Sequence, residues 1–532
     1  MAVGTDPDQG TAETRSSDTP SPPGRRPWWV WAVPFAVLFA VLCARNRFLF
    51  TTRLYEQGDA GANSILIEQA RHFTLLTGNY SREHFSHPGP AYMYVQAAGE
   101  YLFQNALHLV PTAWNANLLS VFALDCAFVA LAVGIAYGWT RSLRGAAACL
   151  AVFAGFVIAY PWILNSDWMP HMYVLAYMVF LMAAGSVAAG RMQDTWIFAL
   201  TGWFLIHGHA CFLLFVPAIA ASVVAAVLWP RRRALRASAS RFFRHQRGNW
   251  LPAIIISALF ALPIVVNLVL HWPGDFGKYI SYGGSGRAGG HSPRTVIEYA
   301  LWFWWPHRHA WLVPLLGYPV ALAAVRWLSP ARLRGFLLAM LAVNVVSSLA
   351  FLLYAAAGID DLTEYYIGYF YWSAPLITVL VIVLAGFEAL PPRGELAARL
   401  SAGAALAAAV AGVVVLAVTP GTRTGSTNDI DQALPRVVAT LAARAPGQMI
   451  VLRIDRPAWV ETTGFLVQAE RSGIRACLDD PWFTFMMTRQ FICTPAQAAS
   501  GRAYWLYTRG GLPPHARVLL RFSGVAVVPS SP

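Results

Sequence analysis

The sequence predicts a polytopic α-helical membrane protein of about eleven spans, followed by a small α/β domain. Three observations predict it. Of 532 residues, 57% are hydrophobic and only 12% charged, against about 25% charged in a soluble globular chain. Separate apolar runs of roughly 18–25 residues, each matching a bilayer core, recur as far as residue 419. Beyond residue 420 the pattern changes to short strand-like runs alternating with helical ones.

In order along the chain, Met1–Pro27 is rich in Ser, Thr, Pro, Gly and Asp and has no apolar core. It is expected to be a disordered cytoplasmic tail, and the span after it an uncleaved anchor. Spans are expected near 28–49, 115–139, 146–163, 172–189, 196–207, 210–229, 250–271, 310–328, 335–357, 367–389 and 400–419. With a cytoplasmic N-terminus, the inner segments hold 18 arginines and the longer outer loops nine Lys or Arg. That asymmetry follows the positive-inside rule and puts the C-terminus outside, in the plasma membrane. It also accounts for most of the +13 net charge, so no nucleic-acid partner is expected. The domain plan is a tail (1–27), a transmembrane domain (28–420) with a first outer loop (50–114), and an extracytoplasmic α/β domain (421–532).

The first outer loop is too long for a plain connection. Residues 62–77 form an amphipathic pattern, with Leu66, Ala70, Phe73 and Thr77 on one side and Ser64, Glu68, Arg71 and His72 on the other. After the turn SREHFSHPGP, residues 90–107 are aromatic and apolar except for a stripe of Gln96, Glu100 and Gln104. Both segments are expected to lie in the membrane interface with their polar sides in water.

Five stretches carry a family resemblance: GDAGAN (58–63), HPGPAYMY (87–94), RSLRG (141–145), NSDW (165–168) and EYYIGYFYWSAP (364–375). Their order and spacing resemble the GT-C glycosyltransferases, the group that includes protein O-mannosyltransferases and the lipid A aminoarabinose transferases. The resemblance covers roughly residues 28–390. It implies transfer of a sugar from a polyprenyl-phosphate donor to an envelope glycan, lipid or protein acceptor, at the outer face of the membrane. An acceptor hydroxyl would attack the anomeric carbon, which calls for a general base and for donors to the leaving phosphate.

Asp59 is the expected base. Gly58 and Gly61 flank it and permit tight turns, although an Asp at this position also suits a helix cap. Asp167, in the second outer loop, is the secondary acidic candidate for holding the acceptor. Lys278, the one lysine beside 38 arginines, is a candidate partner of phosphate, with a solvated loop residue as its plainer reading. Arg45 and Arg47 flank the outer end of the first span, where lipid phosphate lies. His87 and Tyr279 complete the expected substrate-binding set. Asp360, Asp361 and Glu364 read as a solvated acidic turn, and the glycine-rich YGGSGRAGG as a lid.

Two H-x-H pairs, His207/His209 and His307/His309, are possible metal ligands. Neither has a third and fourth ligand near it in sequence, and the first loop lacks a D-x-D pair, so no metal or other cofactor is expected. In the C-terminal domain Cys477 and Cys493 could pair, while Cys43, Cys126, Cys149 and Cys211 fall in spans. A transporter or flippase of lipid-linked saccharide, or a non-catalytic envelope scaffold, are the alternative functions. Against the transporter, the chain has no evident internal repeat. The abundance of alanine and arginine is that of a GC-rich bacterial source.

Overall fold

A computed structural model describes residues 26–229, 246–284, 290–305, 311–389, 395–418 and 430–530. An apolar helix lies in each segment read as a span. Among the described residues, five helices can cross a membrane by length and composition: Ala113–Thr140, Met169–Ala188, Arg247–His271, Ala331–Ala357 and the continuous run Tyr365–Glu388. Met169–Ala188 is the hub, with 94% of its apolar window buried. It packs on Ala113–Thr140, Thr195–Gly208 and Ala331–Ala357. Arg247–His271 is the opposite case, 6% buried, so its apolar side chains face the surroundings, as a lipid-facing helix does.

The sharp reversal at TRSLRG has a local cause. Arg141 takes a left-handed conformation (φ 55°) and ends one helix, and the Ser142 side chain accepts the Arg144 N–H to start the next. The first loop opens with a short strand, β1 (Tyr55–Glu56), and the helix Gly58–Arg71. A turn follows in which Gly78 N–H donates to the His87 carbonyl and His87 N–H to the Asn79 carbonyl, both at 2.8 Å. The helix Ala91–Gly99 then runs into a π-helical stretch, Glu100–Ala106.

These two helices differ from the interfacial expectation. Gly58–Arg71 begins and ends earlier than 62–77, and Phe73 lies outside it, 83% exposed. Nearly every face is buried, because the C-terminal helix Trp459–Arg471 covers the side opposite Ala91–Gly99. The stripe of Gln96 and Glu100 is also buried, while Tyr101 and Leu102 are exposed. Glu100 is paired from across the seam by Arg471 at 3.3 Å and from its own loop by Arg71 at 3.6 Å. Amphipathic periodicity identified the polar side correctly, but that side meets another protein surface.

The C-terminal residues form a five-stranded sheet of β3 (Ile450–Ile454), β4 (Ala476–Leu478), β5 (Arg502–Thr508), β6 (Leu520–Phe522) and β7 (Val525–Pro529). The order is β4-β3-β5-β7-β6, parallel across the first three and antiparallel after them. The stretch RVLLRFSGVAVV holds the β6–β7 hairpin. Ser523 and Gly524 both take positive φ (40° and 92°) and turn the chain back. Cys477 and Cys493 form a disulfide. A further strand, β2 (Ile430–Asp431), pairs antiparallel with β1 and ties the domain to the first loop.

Arg471 closes that seam. It bridges Glu56 and Glu100, whose side chains are 0% and 1% exposed. One cation shared by two buried carboxylates fixes orientation, because losing it would take the ion pair from Glu56 and leave Glu100 with Arg71 at 3.6 Å. Gly61 is the steric counterpart. A Cβ there would stand 2.7 Å from Thr463 Oγ1, so this glycine serves close helix packing and not the turn expected of it.

Candidate active site

Asp59 is the second residue of its helix, and the chain reaches it through Gly58 at φ 59°, a conformation open to glycine at little cost. The cap position is Gln57, and no side chain caps the helix. The Asp59 carboxylate turns away from the helix end. One oxygen accepts the Tyr80 hydroxyl, and the other accepts Trp168 Nε1–H at 2.8 Å. Two donors, from the 81–90 turn side and from the NSDW loop, thus fix a half-buried carboxylate by both oxygens.

The carboxylate lines a cavity of about 370 Å³ walled by the first loop, the NSDW loop, the 207–211 turn and the 358–367 segment. His87 and Tyr279 line it too. His87 stacks obliquely on His209, with ring centroids 4.2 Å apart. His87 Nδ1 accepts the Ala210 N–H at 3.2 Å and His209 Nδ1 accepts the Cys211 N–H at 3.1 Å. In the neutral rings, Nε2 therefore carries the proton. Burial favours the neutral form, holding His209 down at about 4 and His87 well below its ordinary value, the latter also repelled by His209. The Tyr279 hydroxyl is spent on the Ser86 carbonyl, and its ring packs edge-on against Phe85 at 5.0 Å.

The remaining expected residues lie outside the cavity lining. Asp167 is 9% exposed and accepts Trp114 Nε1–H at 3.0 Å. Burial pushes its carboxyl up to about 6, with the Glu56 and Asp59 charges adding to the rise. Lys278 pairs with Asp275 at 2.8 Å and donates to the His84 carbonyl at 3.0 Å, bracing the loop turn. Arg45 is buried at the end of the first helix and Arg47 is exposed. The residue between them, Asn46, donates to Asn165 at 3.2 Å.

Residues not expected in the site enter it. Tyr80, which no motif marks, and Trp168, from the NSDW stretch, hold the carboxylate. Arg82 lines the cavity and pairs with Asp360 and, at 3.9 Å, with Glu364. The acidic turn thus divides: Asp360 serves the cavity, while Asp361 accepts from Thr363 at 2.7–2.8 Å. The first H-x-H pair is divided as well. His207 Nε2 lies 2.8 Å from the Phe260 carbonyl, away from His209. His307, His309 and most of YGGSGRAGG lie outside the described residues. Among the described residues no three His, Cys, Asp or Glu stand together as metal ligands.

No family model matches the chain, and no curated protein matches it. Among solved structures it is similar to the crystal structure of ArnT from Cupriavidus metallidurans bound to undecaprenyl phosphate. The TM-score is 0.57 at 11% identity, covering 94% of this chain and 98% of that one. The same protein in the apo state gives a TM-score of 0.56 at 13% identity, with 93% and 98% covered. The Archaeoglobus fulgidus oligosaccharyltransferase in complex with zinc and sulfate gives only 0.34 at 13% identity, over 90% of this chain and 68% of that one. The likeness extends over nearly all of both chains and shows that this protein has the ArnT fold.

Proposed function

We propose that the protein is a glycosyltransferase that moves a sugar from a polyprenyl-phosphate donor to an envelope acceptor. The reaction takes place on the outer face of the membrane, with the N-terminus cytoplasmic and the C-terminal domain outside. The observation that carries this reading is the Asp59 carboxylate, gripped by Tyr80 and Trp168 at the wall of a cavity in a GT-C fold. The donor class is supported by the same fold in ArnT, solved with undecaprenyl phosphate.

Each Asp59 oxygen has one donor and keeps a further lone pair for the proton of an acceptor hydroxyl. As that proton passes to the carboxylate, the hydroxyl oxygen bonds to the anomeric carbon. The bond from that carbon to the phosphate oxygen breaks, and its electron pair leaves with polyprenyl phosphate. The departing oxygens gain charge, and N–H donors fixed in a partly dry cavity stabilise that charge without reorganising. Arg82 and the Nε2–H groups of His87 and His209 are among the donors this cavity offers. The test is incubation of membranes carrying the protein with a polyprenyl-phosphate sugar, radiolabelled in the sugar, and envelope extract. Label entering envelope material, with release of polyprenyl phosphate, is expected; no transfer above control membranes overturns the proposal.

A further inference from the structure

A second cavity, about 420 Å³, lies at the seam of the first loop and the C-terminal domain. Tyr80 and Arg82 line it from the loop, and Arg456, Trp459, Trp482 and Phe485 from the domain. We infer that it is the acceptor subsite and that it takes an acidic saccharide. The assignment of an acceptor rests on the glycosyltransferase reading above.

Continuity is the first argument. Tyr80 and Arg82 line both cavities. The Tyr80 hydroxyl is on Asp59, while its ring meets Phe485 edge-on at 5.8 Å. A ligand in the second cavity thus lies one side chain away from the base, on the side facing the domain. A lipid-borne donor arriving from the membrane would leave that side free.

The second argument is chemical. The walls are largely aromatic, and flat apolar surfaces pack against the C–H faces of pyranose rings. Among the described residues the Arg456 guanidinium has no carboxylate partner, and it is stacked over Trp482 at 4.9 Å. Arg82, by contrast, is already paired with Asp360. A stacked, unneutralised guanidinium is pre-set for bidentate contact with a carboxylate or phosphate. No lining residue is a carboxylate or an amide. A cationic ligand would find nothing to neutralise it, and the N–H groups of an extended peptide would find few side-chain acceptors. The volume lies within the range of small-ligand pockets, about 300–1,000 Å³.

Tryptophan fluorescence titration of the full-length protein in detergent tests this without any donor present, so the result is independent of whether sugar is transferred. The probes are a glucuronic acid–N-acetylglucosamine disaccharide, glucose 6-phosphate, maltose and a proline-rich peptide. One of the two acidic sugars should bind at least tenfold more tightly than maltose, and which one does tells carboxylate from phosphate. Arg456→Gln should weaken that binding at least tenfold, about 1.4 kcal/mol. Because Arg456 is exposed, the variant should unfold at the wild-type temperature. Equal binding of acidic and neutral sugars, an undiminished affinity in Arg456→Gln, or preference for the peptide would overturn the inference.

Discussion

Asp59 and Asp167 lie on either side of one tryptophan, yet they are different kinds of carboxylate. Trp168 donates to Asp59 at the wall of a cavity. Asp167, the residue before it, is buried in a dry setting where it accepts Trp114 Nε1–H. One has room for a reactant, and the other has none. Neighbouring acidic residues in one loop system therefore do not share a role; access to a cavity separates them more sharply than proximity does.

The largest effect should break that comparison outright. Asp59→Asn removes the proposed proton acceptor and is expected to slow sugar transfer by about 10²–10⁴-fold. Asp167→Asn should stay within about a factor of ten of wild type, because its carbonyl can still accept from Trp114. Initial rates of both variants check this. Next in size is Arg471→Ala, which removes the ion pair of Glu56 and leaves Glu100 with Arg71 in a buried seam. A loss of about 3–5 kcal/mol is expected, read as a lower unfolding temperature and earlier proteolysis between the two domains. Trp168→Phe keeps most of the ring that packs against Tyr366 at 5.1 Å but deletes the donor to Asp59. Loss of one hydrogen bond to a charged group, about 1.5–3 kcal/mol, should cost roughly 10–100-fold in rate.

The smallest effect sharpens the other half of the comparison. The folded state holds the Asp167 proton up to about pH 6, above the ordinary carboxyl value of 3.8. The protonated group's contribution to stability is therefore full below about pH 4 and is lost as pH rises through 6. Asp167→Asn should flatten that part of the stability profile and gain most at neutral pH. The difference between wild-type and variant unfolding curves measures it. His209, held down at about 4, contributes with the opposite slope, losing stability as pH falls from about 6.5. Only the difference curve isolates Asp167.

The fold class was legible because hydrophobic runs are local, and a helix lies in each segment the apolar pattern marked. The β3-to-β5 core of the C-terminal domain was legible for the same reason. What escaped is long-range. Trp168 meets Asp59 across 109 positions and Arg471 meets Glu56 across 415, and no local pattern encodes such partners. The Gln96–Glu100 stripe was read as facing water because its cation lies 371 residues away. Lys278 drew notice by rarity, but composition has no position, and its partners are a neighbouring aspartate and a loop carbonyl. Asp59 itself was found from two flanking glycines, only one of which has the role assigned to it.

The role of Asp59 is tested most directly by supplying its carboxylate from outside. In an Asp59→Ala variant that retains the wild-type unfolding temperature, transfer from the polyprenyl-phosphate sugar should be nearly abolished. Added formate should then restore it in a concentration-dependent manner, with no such response in wild type. Transfer at the wild-type rate in Asp59→Ala without formate would contradict the account.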